Sequence, residues 1–282
     1  MSHVVITGSK GGTGISIERV FREAGYSVLG IDLKNHENSD QNYRQADLQN
    51  GAEVYDVLSG ADAVVHFGSY PTDTWTSWER AYLNLSLGGY HILQACATLG
   101  IRRLVMASSP EIYGDYSKLS YLPLDESTPA KPVSIYGAVK QNLETLAEHY
   151  VRWHGMSIAA LRPQRIVYEG SYDWRFRKYT ESDQAAADAL WAYVDARDVA
   201  TACLAWVESS HTGCEVFNIA ADDVCVDTPT RQLVEKYYGS IGDVRSGMVD
   251  REALVDCQKI KQMLNWEPRH NWKSMEREKS SA

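Results

Sequence analysis

Apolar and polar residues fall in blocks along this chain, and the blocks have the periods of strands followed by helices. Val4-Val5-Ile6 is a short apolar run that reads as a buried strand. Ile15, Ile17, Val20 and Phe21 then recur at roughly helical spacing, and Gly25 ends that pattern. A second apolar run, Val28 to Ile31, stops at Asp32. A polar loop follows, and a short strand is expected to end at Ala46. Residues 61–67 read as another buried strand, opening into Gly68-Ser69-Tyr70-Pro71. The spacing predicts a long helix over about 75–99, a strand over 101–107, a helix over about 134–154 and a strand over 155–161. Residues 193–209 read as strand then helix, 215–220 as strand, and Thr228 as the start of a further helix. Strands alternating with helices predict an α/β fold, a Rossmann-type doubly wound parallel sheet.

Gly8, Gly11 and Gly14 stand at a spacing of three between the first strand and the first helix. The order strand, glycine turn, helix, strand, acid is that of a dinucleotide site. The first glycine permits a tight turn, the second lets backbone N–H groups approach a pyrophosphate, and the third lets helix and strand pack closely. The helix N-terminus then presents its positive dipole end to the phosphates. Lys10, Gly12 and Thr13 belong to the same loop. Asp32, 18 residues after Gly14, is placed to accept hydrogen bonds from ribose hydroxyls, which predicts NAD rather than NADP. Lys10 and Lys34 are the counter-evidence, since either can pair a 2′-phosphate. Asp47 is placed to bond an adenine amino group or to cap the next helix, and Leu48 to pack on the ring. Ligands of such sheets sit beyond the strand C-termini, so Phe67, Gly68 and Ser69 are candidates for cofactor or substrate contact. His66, inside the strand end, reads as a packed core histidine.

Tyr136 and Lys140 are four residues apart on one predicted helix face. A phenol with pKa near 10 needs about 4 kcal/mol to reach ~7, and one ammonium at about 4 Å in an effective dielectric of ~20 supplies roughly that. Tyr136 would then take a hydroxyl proton as hydride leaves for a nicotinamide. Ser109 would hold the same oxygen.

Composition narrows the partners. The 282 residues, 44% hydrophobic and 23% charged, are those of a globular chain with room for a substantial core. A net charge of −9 argues against nonspecific nucleic-acid binding. No apolar stretch approaches the ~18–20 residues of a membrane span, and no secretory leader is visible. The five cysteines are odd in number, scattered and without a CxxC pair. The expectation is reduced thiols in a cytoplasmic enzyme, with no metal site.

The ordered motifs carry a resemblance. They are Thr7-Gly8-x-x-Gly11-x-x-Gly14, Asp32, Asp47-Leu48, His66-Phe67-Gly68, Ser108-Ser109-x-x-Ile112-Tyr113-Gly114 and Tyr136-x-x-x-Lys140. Leu161-Arg162-Pro163, Tyr193-Val194-Asp195-x-x-Asp198-Val199-Ala200, Phe217-Asn218-Ile219-Ala220 and Leu264-Asn265-Trp266-x-Pro268 follow in the second half. Together they resemble an extended short-chain dehydrogenase/reductase of the NAD-dependent epimerase/dehydratase family, closest in size to its uronate dehydrogenase-like members. The resemblance implies catalytic Ser109, Tyr136 and Lys140, with Tyr136, Lys140 and Pro163 also touching NAD. It implies an NAD-binding domain over 1–164, its sheet completed by about 191–220. A small substrate lobe would come from 165–190 and 221–276, with a disordered tail at 277–282. A homodimer joined through helices 75–99 and 134–154 is also implied.

Three departures from the family pattern stand out. Asn84 is one residue further than usual from Gly88, which puts its backbone-bracing role in doubt. Arg165 stands where the family often has Asn. Arg197 stands where it often has an acid, and reads as a helix-start charge or ion-pair partner. Only 30 residues separate Arg162 from Tyr193, which favours a substrate smaller than a nucleotide-sugar. The first reading is therefore an NAD-dependent oxidoreductase acting on a sugar hydroxyl, with sugar acids among the candidates. Ser69, Glu111, Arg165 and Arg175 are the candidate substrate contacts; for Arg165 the plain alternative is pairing with a structural acid such as Glu169 or Asp173. A sugar or nucleotide-sugar epimerase with tightly bound NAD is the second reading, and a non-catalytic NAD-sensing scaffold the third. Pro110 in place of an acid beside Glu111 disfavours dehydration.

Overall fold

The computed structural model describes residues 2–34, 42–70, 77–172, 176, 182–239, 241–245 and 248–273. In chain order the first half runs β1 (His3–Thr7), α1 (Gly12–Glu23), β2 (Ser27–Asp32), β3 (Tyr43–Gln45), α2 (Gly51–Leu58), β4 (Ala63–His66), α3 (Trp78–Leu99) and β5 (Arg103–Ala107). The second half continues with β6 (Tyr121–Leu122), α4 (Ile135–His154), β7 (Ser157–Pro163), β8 (Arg165–Val167), β9 (Tyr193–Asp195) and α5 (Ala196–Glu208). It closes with β10 (Gly213–Ile219), α6 (Thr230–Tyr237), β11 (Asp243–Val244) and α7 (Gln258–Leu264).

Seven strands form one sheet in the order β10-β7-β5-β4-β1-β2-β3, and every pairing in it is parallel. The expected doubly wound Rossmann sheet is therefore present. Parallel sheets are covered on both faces, and the side chains show it. Val4, Ile6, Val65, Val105, Ala159 and Leu161 point into one core, whereas Val5, Val64, Leu104, Ile158 and Ala160 point into the other. This is the two-residue alternation of an extended chain. Ile17 and Phe21 of α1 and Val199, Cys203 and Trp206 of α5 fill the first core. Val54 and Leu58 of α2, Leu85 and Ile92 of α3 and Leu143 of α4 fill the second.

The order of strand succession reverses between β1 and β4, which lie side by side in parallel with Thr7 opposite His66. That topological switch opens a crevice at the strand C-termini, where such sheets hold ligands. Strand ends shift by at most two residues from the sequence reading. Trp75, expected at the start of the long helix, lies outside the described residues. α3 begins at Trp78 because the Ser77 hydroxyl accepts from the Arg80 amide at 3.3 Å, and it ends where Gly100 adopts φ +73°. β9 is the strand read at Tyr193; β8, which pairs with it in parallel from Arg165↔Tyr193 as a separate two-stranded sheet, has no counterpart in the sequence reading. The expected disordered tail at 277–282 lies outside the described residues. All five cysteines are free thiols. Among the described residues no helix is long and apolar enough to cross a membrane, and no group of three acids, histidines or cysteines is arranged to hold a metal.

Candidate active site

The crevice is a cleft of about 520 Å³ lined by Thr7, Gly8, Gly11, Asp32, Leu48, Phe67, Gly68, Ser69 and Asn84, among others. Gly8 sits at φ +73°, and a Cβ there would stand 2.6 Å from the Phe67 carbonyl oxygen; one on Gly14 would run into the Gly8 carbonyl. Backbone therefore packs on backbone, as the sequence reading requires. The Gly11 amide closes the turn on the Gly8 carbonyl at 3.0 Å, and Gly11 is the N-cap of α1. The first amides of α1, from Gly12 and Thr13 onward, lack helical acceptors, which is the donor set an anion needs.

Asp32 at the end of β2 faces the cleft, with one oxygen accepting from the Lys10 amide at 3.0 Å and the other from the Lys34 amide at 3.3 Å. The Lys10 ammonium lies 4.6 Å from the centre of the Tyr43 ring. The cradle, the open helix start and the oriented carboxylate fit a dinucleotide. Leu48 lines the cleft. One carboxylate oxygen of Asp47 accepts from the Gln49 amide at 2.9 Å, and the Asp47 amide donates to Glu53 at 2.8 Å. The cap of α2 is Asn50, not Asp47.

Thr7 links the two central strands. Its hydroxyl bonds His66 Nδ1 at 2.8 Å and accepts from the Gly68 amide at 3.0 Å. Burial, with Lys140 nearby, pushes the His66 imidazole down to about 3, so it stays neutral in the core as expected. The doubt over Asn84 is corrected: Asn84 is 3% exposed, and its side-chain oxygen accepts from the Tyr70 amide at 3.0 Å. The extra residue of spacing is absorbed, and the loop after β4 is braced.

A second group of candidate residues stands on α4 and just beyond β5. Ser109 caps the short turn Pro110–Tyr113, its hydroxyl accepting from the Glu111 amide at 3.1 Å. Ser134 caps α4, accepting from the Gly137 amide at 3.0 Å and donating to Glu111 at 2.6 Å. Glu111, expected as a substrate contact, is thus engaged in holding the start of α4. Lys140 is 3% exposed, and its ammonium donates to the Ala107 carbonyl at 2.7 Å, 5.5 Å from the centre of the Tyr136 ring. Burial pushes the amine down to about 8, against the attraction of Glu144. Tyr136 and Lys140 thus meet at the end of β5, two residues before Ser109.

The other expected contacts scatter. Ser69 lines the cleft and Pro163 ends β7, buried. Arg165 extends to Asp188 at 2.7 Å rather than to Glu169; Asp173 and Arg175 lie outside the described residues. Arg197 is bidentate to the buried Asp195 at 2.8 Å, the ion-pair reading of that position. The sequence reading missed one element altogether. Glu144 is clamped by Arg162 at 2.9 and 2.6 Å and accepts from the Ser108 hydroxyl. Arg162 also reaches the Tyr113 hydroxyl at 2.7 Å, which donates to Asn218 at 2.7 Å. The available signal was helical spacing, since Glu144 follows Lys140 by one turn.

Residues 4–220 match the family model described as "NAD dependent epimerase/dehydratase family". A uronate dehydrogenase of Pseudomonas syringae pv. tomato is 25% identical over 57% of this chain and 58% of its own length. The L-arabinose 1-dehydrogenase (NAD(P)(+)) of Haloferax volcanii is 26% identical over 57% of this chain and 66% of its own length. The chain thus spans less than two thirds of these dehydrogenases. A UDP-glucose 4-epimerase of Corynebacterium glutamicum is 23% identical over 95% of this chain and 91% of its own length. Among solved structures, a short-chain dehydrogenase/reductase superfamily protein from Agrobacterium tumefaciens with bound NAD superposes with a TM-score of 0.74. It is 22% identical, covering 99% of this chain and 96% of that one, and the likeness is one of fold.

Proposed function

This chain belongs to the NAD-dependent epimerase/dehydratase family, and we propose that it is an oxidoreductase that moves hydride from a sugar hydroxyl-bearing carbon to NAD, using Ser109, Tyr136 and Lys140. The observation that carries this reading is Lys140: a buried ammonium, one helical turn from Tyr136, held on the Ala107 carbonyl at the end of β5. A buried charge is costly, and an amine pushed down to about 8 still carries its proton at neutral pH. With the ammonium 5.5 Å from the centre of the Tyr136 ring, its charge favours the phenolate form of Tyr136 by direct attraction.

NAD, when bound, supplies the two-electron hydride acceptor. Gly8, Gly11 and the first amides of α1 hold its phosphates, and Asp32 its ribose hydroxyls. Tyr136 takes the hydroxyl proton as the hydrogen on the same carbon leaves with its bonding pair for the acceptor and the carbonyl forms. Ser109 donates to the same oxygen and keeps it beside Tyr136. Lys140 holds the negative charge on Tyr136 until the proton arrives.

For substrate we propose a free sugar or sugar acid. The 30 residues between Arg162 and Tyr193 leave little chain for gripping a nucleotide, and two dehydrogenase relatives act on uronate and arabinose by name. The pairing of Arg165 with Asp188 competes with its proposed hold on a carboxylate. The second reading, an epimerase that keeps its NAD, is favoured by the epimerase relative that matches over nearly the whole chain. A panel of free sugars, sugar acids and UDP-sugars with NAD, followed by NADH absorbance and product analysis, separates the two. Net NADH supports the dehydrogenase; isomer formation without NADH replaces it by the epimerase. We further propose a homodimer through α3 and α4.

A further inference from the structure

We propose that Glu144 is a positioning residue of this site: it clips the end of β5, which carries Ser109, to the helix that carries Tyr136 and Lys140, and sets a negative charge one turn from the Lys140 ammonium. The proposal rests on the roles given above to Ser109, Tyr136 and Lys140.

Two successive turns of α4 hold two successive residues of one strand end. Lys140 donates to the Ala107 carbonyl, and Glu144, four residues on, accepts from the Ser108 hydroxyl. The next residue is Ser109. The Ser108 bond needs Glu144 itself to be fixed, and Arg162 of β7 fixes it with a bidentate grip. β7 is the strand beside β5, with Ala107 opposite Leu161, so clip and anchor stand on adjacent rods of the sheet. Arg162 is held in turn by Tyr113, and Tyr113 by Asn218 of β10. Glu144 and Arg162 are 6% and 7% exposed.

Stability is a weak reason for such a pair, because two apolar residues in its place commonly do as well. Geometry is a better one: a rigid fork fixes where a carboxylate points. Among the described residues, the charged or titratable groups facing Lys140 are Tyr136 and Glu144 on its own helix, His66 on β4 and, behind Glu144, Arg162 on β7. Of these Glu144 is the carboxylate, and its charge opposes the effect of burial on the amine.

Glu144→Gln keeps the shape and removes the charge; Ser108→Ala breaks the clip and leaves the ion pair. Each full-length variant would be assayed for NADH binding by fluorescence, for kcat with NAD and the most active compound of the panel, and for the Lys140 ammonium titration by 15N side-chain NMR. Glu144→Gln is expected to lower kcat by about tenfold to a hundredfold, the scale of a small misplacement of reacting groups. Its Lys140 titration should move down by about one unit while NADH affinity stays within twofold. Ser108→Ala is expected to lower kcat less, with the titration unchanged. A folded Glu144→Gln protein with the parent's kcat and titration overturns the proposal. If Glu144→Gln does not fold, Ser108→Ala decides, and parental kcat there overturns it equally. Tyr136→Phe separates the two readings: parental activity in that variant removes the roles assigned to the site, whereas loss there beside parental Glu144→Gln removes only the clip.

Discussion

Tyr168 lies across Gly12: a Cβ added at Gly12 would stand 2.6 Å from its ring. Gly12 opens α1 beneath the glycine turn, and Tyr168 follows β8, so the segment after β8 rests on the cofactor side of the crevice. Glu169 fastens the contact, reaching Arg19 of α1 at 3.1 Å and Arg197 of α5 at 3.9 Å.

Gly12→Ala is therefore expected to cost about 1–3 kcal/mol through overpacking. Adding Tyr168→Ala should remove most of that particular cost, so the two losses should fail to add by at least about 0.5 kcal/mol. Urea unfolding of both single variants and the double variant measures this, and strictly additive losses would place the ring elsewhere.

Lys140 should leave a signature in stability as well as in rate. Below pH 8 the folded and unfolded chains both hold its proton, and folding bears the full cost of burying the charge, roughly 3 kcal/mol for a fall from 10.5 to about 8. Between pH 8 and the ordinary lysine range the folded chain has released the proton and the unfolded chain keeps it. The unfolded state then binds more protons, so stability rises with pH across that window. Relative to Lys140→Met, the parent should gain roughly 3 kcal/mol between pH 7 and pH 10.5, read from unfolding at a series of pH values. The variant should also lose about 10²–10⁴-fold in kcat. A parent and variant with parallel stability curves would mean an amine of ordinary basicity.

Asp32 holds the Lys10 and Lys34 amides with its two oxygens. Asp32→Ser removes the negative charge and frees those amides for a 2′-phosphate. The ratio of NADPH to NADH affinity, measured by fluorescence titration, should rise at least about tenfold, the scale of one charged contact. An unchanged ratio would show that the carboxylate does not face the ribose.

Trp78, Tyr82, Leu83, Leu87 and Tyr90 are large exposed apolar residues of α3, and Ile135 and Trp153 are exposed on α4. Large exposed apolar patches are characteristic of interfaces. The chain of 31.6 kDa is expected to sediment at twice that mass, and Leu83→Glu with Leu87→Glu to sediment as a monomer. A parent that is monomeric at micromolar concentration would remove the dimer.

The sequence by itself determined whatever rests on neighbours in the chain. Strand and helix periods gave the doubly wound sheet, because burial on both faces demands apolar residues at fixed local intervals. The turn at Gly8, the acid at the end of β2 and the one-turn spacing of Tyr136 and Lys140 are equally local. Tertiary structure decided what depends on distant partners. Asn84 reaches the Tyr70 amide, 14 residues away in the chain, despite its odd spacing from Gly88. Asp47 yields the cap of α2 to Asn50, and Glu111 is drawn to Ser134. Glu144 meets Arg162 across 18 residues, because β7 returns beside β5. No local period encodes that meeting: a carboxylate and a guanidinium become partners only where packing removes both from water and leaves each as the other's best replacement for it.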